Sequence, residues 1–134
     1  MLSKPNFGFI DIELSETKNE YWTVGNLINT PLELLEACVQ YLKQGISQTV
    51  EMDLEEYGSG YLLLDSESKN CFYYSTSDLE MHRGIPVIEF ATNLRDDISD
   101  SVRDYSHFYY AATEKDEEIF EEKLEELCKL LKER

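Results

Sequence analysis

Ile46-Ser47-Gln48-Thr49-Val50-Glu51-Met52-Asp53-Leu54 is the stretch on which the fold turns. Ile46, Val50, Met52 and Leu54 share one parity, and Glu51, Asp53 and Glu55 share the other. Side chains alternate across a strand, so one face is apolar and the opposite face carries carboxylates. That pattern predicts a sheet packed on one side and wet on the other. Tyr57-Gly58-Ser59-Gly60 then offers two glycines for a reversal. Tyr61-Leu62-Leu63-Leu64 reads as a central strand, Asp65 to Asn70 as a polar turn, and Cys71-Phe72-Tyr73-Tyr74 as a returning strand. Thr76 to Gly84 is expected to be a surface loop, and Ile85 to Ala91 a further strand. Pro86 belongs at its start or on an edge, because proline cannot donate to a ladder.

Residues 46–91 hold nine acids against two bases, a balance of −7 within a chain total of −16. Charge spread over strands and loops makes a field rather than a tail.

Upstream, Ile10, Ile12 and Leu14 alternate with Asp11 and Glu13, which predicts a first strand. Ser15 to Glu20 is a polar connection, and Tyr21-Trp22-Thr23-Val24 a second strand. Trp22, the one tryptophan, is expected to anchor the core or its edge. Thr30 to Lys43 reads as a helix. Thr30 is its expected cap, Pro31 sits at the first turn, Glu33 completes a capping box, and Gly45 stands where a helix-ending glycine belongs. Leu32, Leu35, Val39 and Leu42 form its apolar stripe.

Downstream, Asn93 followed by Asp96 suggests another helix start, with Leu94, Ile98, Val102 and Tyr105 at helical spacing. Asp96, Asp100 and Asp104 stack on a second line, where like charges repel. His107 to Ala112 fits either helix or strand. Thr113 to Arg134 is a helix with a capping threonine, a stripe of Phe120, Leu124, Leu127 and Leu131, acids in its first turns and bases at its end. The expected fold is a single α+β domain spanning residues 1–134, an antiparallel β-sheet packed by two or three α-helices. The helices over 30–43 and 113–134 are expected to cover one face. In the alternative layering, the 94–105 helix takes the opposite face.

No run approaches the ~18 apolar residues of a membrane span. Met1-Leu2-Ser3-Lys4-Pro5 lacks the apolar run of a signal peptide. Cys38, Cys71 and Cys128 are odd in number and widely spaced. They fit a reducing cytoplasm and argue against a disulfide framework or a zinc site. A charge of −16 argues against nucleic acid and anionic membrane as partners and permits basic proteins.

Catalytic signatures are weak. His82 and His107 are the only histidines, and neither has a partner at a diagnostic spacing. A hydrolase using them as acid and base is the enzymatic alternative. A small-ligand-binding module is a third class. Gly58-x-Gly60 lacks the rest of a phosphate loop. The carboxylates at 51, 53 and 55, and those at 96, 100 and 104, support three readings. They are a solvated face, a surface for a partner's Lys and Arg, or a calcium or magnesium site, and no diagnostic calcium loop is present. No cofactor or resident metal is expected.

Candidate partner-binding residues are Glu51, Asp53, Glu55, Asp65, Glu67, Tyr73, Asp96, Asp100 and Asp104. In size, acidity and layout the chain resembles the immunity proteins of bacterial polymorphic and contact-dependent toxin systems. The resemblance implies a non-catalytic cytoplasmic inhibitor that neutralises a cognate basic toxin domain, often a nuclease, by occlusion.

Overall fold

A computed structural model describes residues 1–15 and 20–134. The polar connection expected between Ser15 and Glu20 falls at 16–19, outside the described residues. The chain is α+β, with two antiparallel sheets and four α-helices among the described residues.

Strands β1 (Phe9–Glu13) and β2 (Tyr21–Gly25) form a two-stranded sheet, as the alternation predicts. Helix α1 (Thr30–Gln44) follows and ends at Gly45, whose φ of 68° is left-handed and whose N–H donates to the Tyr41 carbonyl. Its start differs from the sequence expectation. Asn29 holds the cap position without a side-chain bond, and no capping box joins Thr30 to Glu33. Thr30 is buried instead, and its Oγ1 has no hydrogen-bond partner.

The second sheet is a meander of β3 (Gln48–Asp53), β4 (Ser59–Leu64), β5 (Asn70–Ser75) and β6 (Asp78–Pro86), each paired antiparallel with the next. Ile46 lies before β3 and is exposed, so it is not part of the apolar face. Val50, Met52, Leu62, Leu64, Cys71, Tyr73 and Ile85 point to the buried side.

Two expectations about the segment after Ser75 are corrected. Residues 78–86 form a strand rather than a surface loop, joined to β5 by a tight turn. The strand expected from Ile85 to Ala91 holds only for Ile85 and Pro86, which end β6, because helix α2 (Val87–Asp100) begins straight after Pro86. Val87, Phe90, Ala91, Leu94 and Ile98 recur at helical spacing and all are buried. A short apolar run such as Val87-Ile88 fits either period until the following turns are counted. Asn93 and Asp96 are therefore inside α2, not at its start. The helix breaks at Ser101, whose φ of −151° leaves the helical region, and α3 (Val102–Ser106) follows. Residues 107–112 are neither helix nor strand but a turn segment that buries Phe108.

Helix α4 (Glu114–Lys132) starts at Thr113, the cap expected from the sequence, and Asp116 adds a capping box beyond that expectation. Its docking differs from expectation. It packs on α1, α2 and α3, while α1 lies directly on β3 and α2 touches β5 and β6. The layers run sheet, then α1 and α2, then α4. The α2 helix shares the side of α1 and leaves the opposite sheet face uncovered among the described residues. The buried residues form one connected cluster.

The β1–β2 hairpin closes the buried side through Trp22. Its ring meets Tyr73 edge-on at 5.7 Å and lies against Gly60. Leu2 N–H donates to Asp97 Oδ2 at 2.9 Å, and Tyr105 OH donates to the Ser3 carbonyl at 2.9 Å, tying residues 2–3 to α2 and α3.

Candidate functional site

The uncovered sheet face is built by register. Glu51 pairs with Tyr61 and Tyr61 with Tyr74, while Thr49, Leu63, Phe72 and Arg83 form the next row. Alternation sends all seven side chains to one side, because their neighbours Val50, Leu62, Leu64 and Tyr73 are buried. The Tyr61 and Tyr74 rings stack with centroids 5.1 Å apart at 20°. Tyr61 OH donates to Glu51 Oε1 at 2.9 Å. That bond to a carboxylate is the main reason the Tyr61 hydroxyl titrates above the ordinary tyrosine value. The result is a planar aromatic pair ending in a held carboxylate. Leu79 and Met81, further along β6, are 84% and 54% exposed.

The nine candidate residues read from sequence do not form one surface. Glu51 lies on the open face. Asp53 is the last residue of β3, opposite Ser59, and Glu55 lies beyond the strand, so the line of Glu51 stops there. Glu55 opens a 3-10 turn with φ 59°, and its N–H donates to Asp53 Oδ1 at 2.9 Å. Both carboxylates crowd over Gly25, where an added Cβ would sit 2.0 Å from Glu55 Oε1 and 2.8 Å from Asp53 Oδ2. Asp65 organises the β4–β5 turn, accepting from Ser68 N–H at 3.0 Å and Ser68 Oγ at 2.6 Å. These bonds hold its carboxyl below the usual range. Glu67 is exposed in the same turn. Asp96 and Asp100 are exposed on α2 and Asp104 on α3, so the break at Ser101 interrupts their line. Arg95 Nε contacts Asp96 at 3.0 Å.

Tyr73 is corrected most sharply. It is 5% exposed and belongs to the core side, where its hydroxyl donates to Glu20. Burial first, then this bond, push it up to about 12. Within the four-stranded sheet, the tyrosines on the open face are Tyr61 and Tyr74. Their signal in the sequence was parity: Tyr74 neighbours Tyr73, and once Leu62 and Leu64 are assigned inward, Tyr61 faces out.

A second feature lies at the sheet margin. A cleft of ≈ 300 Å³ is lined by Glu20, Trp22, Tyr73, Ser75, Asp78 and His82, among others. His82 stacks on Tyr73 with centroids 5.3 Å apart, and its Nε2 lies 3.0 Å from Asp78 Oδ2. The Asp78 bond raises the His82 pKa above the ordinary histidine value. One ligand-type atom each from Asp78, Glu80 and His82 lies within 4.8 Å of the others. His107 pairs elsewhere, with Glu117 at 3.8 Å, so the two histidines have separate carboxylate partners. Cys38 and Cys71 are buried among core side chains, and burial pushes the Cys71 thiol up to about 12. No helix among the described residues is long and apolar enough to cross a membrane.

A scan of protein-family models, a search of curated proteins and a search of solved structures each found no match to the chain.

Proposed function

We propose that the chain is a non-catalytic, acidic protein-binding inhibitor of the immunity type, acting in the cytoplasm to neutralise a basic toxin domain by covering it. The observation that carries this reading is the open face of the four-stranded sheet. It joins stacked tyrosines, half-buried Leu63 and Phe72, and a carboxylate, in a chain of net charge −16. Aromatic area with peripheral charge is the composition of protein-recognition surfaces. An acidic field also accelerates encounter with a positive partner, by ~10–10³-fold in steered complexes. The same field disfavours nucleic acid, whose phosphates it repels. The test is co-purification with the product of the neighbouring reading frame at physiological salt. An equimolar complex that relieves toxicity of that product supports the reading, and a chain that stays alone while the neighbour is neither basic nor toxic rejects it.

The Asp78–His82 pair beside Tyr73 and Glu20 favours a second reading, hydrolysis in the marginal cleft. A histidine oriented by a carboxylate is a general-base arrangement. Activity on a substrate panel that vanishes in His82→Ala would replace the inhibitor reading with this one.

A further inference from the structure

We infer that the Tyr61–Tyr74 pair and Glu51 form the contact point of the open sheet face, and that the group received there is an arginine side chain of a basic protein partner. The inference rests on the protein-binding reading and assigns its surface.

The helices and the β1–β2 hairpin cover only one side of the sheet, so the other side is left open to a partner. Its chemistry is directional. Glu51 Oε1 is engaged by Tyr61, which fixes the carboxylate beside the ring stack, and its second oxygen takes no bond among the described residues. A guanidinium is planar, stacks on aromatic faces and donates in-plane to carboxylate. Stacked on the outer Tyr61–Tyr74 surface, it can point its N–H groups at that second oxygen. A lysine ammonium meets the carboxylate equally well but gains less from flat rings. Arg83, at the far end of the neighbouring row, makes the face positive on one side and negative on the other. A partner therefore meets it in one preferred orientation.

Other occupants fit less well. A second copy of the chain would bring another −16 onto the same surface. The alternative acidic sites lack this composition. Asp65 is committed to its turn, and Asp53 and Glu55 are folded over Gly25.

The experiment uses the full chain and two probes. In the first arm, a hexa-arginine peptide and a hexa-lysine peptide are titrated into labelled protein and followed by NMR. Arginine-dependent shifts centred on Glu51, Tyr61 and Tyr74, exceeding those from lysine, are expected. Equal shifts from both peptides, or shifts spread along α2 and α4, overturn the inference. In the second arm, the neighbouring frame's product is titrated against wild type, Tyr74→Ala, Glu51→Gln and the triple variant Asp96→Asn/Asp100→Asn/Asp104→Asn. Loss of about tenfold or more in affinity is expected for Tyr74→Ala, as for an interface anchor, with little change in the triple variant. Trp22 fluorescence confirms that each variant is folded. If that product binds and Tyr74→Ala binds as tightly as wild type, the surface is wrong and the inhibitor reading stands. If it does not bind while the arginine peptide maps to the face, the inhibitor reading falls and the arginine surface stands.

Discussion

The indole of Trp22 rests directly on the backbone of Gly60: a Cβ built at Gly60 would lie 2.6 Å from the ring. The contact joins the small sheet to the large one, because Trp22 belongs to β2 and Gly60 to β4. Glycine is required there by close approach. Gly60→Ala is therefore expected to destabilise the fold by about 1–3 kcal/mol, the usual cost of overpacking. Denaturant unfolding followed by Trp22 fluorescence measures it. An unchanged midpoint would mean the hairpin shifts freely and does not depend on this contact.

Thr30 reverses the usual expectation for a threonine at a helix start. A capping threonine replaced by valine would cost about 1 kcal/mol. Here Oγ1 is buried and unpartnered among the described residues. Replacing such a group by an apolar one of the same shape is near neutral or stabilising. Thr30→Val is expected to leave the melting temperature unchanged or raise it. A clear fall would show that the hydroxyl has a partner after all.

The pH dependence at His82 follows from its bond to Asp78. The folded pKa is raised, so the protonated form is favoured in the native state. Its stabilising contribution is complete below the unfolded value of about 6.5 and is lost as pH rises through the higher folded value. NMR titration should place the His82 midpoint above that of a free histidine, and Asp78→Asn should lower it. A wild-type midpoint below the free value would contradict the geometry.

Salt should stabilise the protein. Twenty-eight acids face twelve bases, and the ion pairs found are short-range and mostly exposed, so repulsion is left over. Screening reaches charges beyond ~8–10 Å at 0.1–0.15 M. The melting temperature is expected to rise from low salt to about 0.15 M NaCl, where such screening applies. A flat or falling curve would mean that the carboxylates are already compensated locally.

Alternation, helical periodicity and the end signals at Gly45 and Thr113 by themselves determined most of the strands and the helices α1 and α4. Ile10, Ile12 and Leu14 face inward as their parity requires, Gly45 ends α1, and Thr113 caps α4. Those signals are local: a period of two, a left-handed glycine, a threonine before acids. The identity of residues 85–91 was not local. Only the burial of Phe90, Leu94 and Ile98 against the rest of the core makes Val87 the start of a helix. The acidic surface was likewise legible as composition but not as geometry. Whether Glu51 and Glu55 share a face depends on where β3 stops, which the turn at Glu55–Tyr57 decides. Which tyrosine looks outward depends on strand register, since a one-residue slip exchanges Tyr73 with Tyr74. That register is held by packing from Trp22, α1 and α2 on one side only, and the side left bare is a property of the assembled layers rather than of any single stretch.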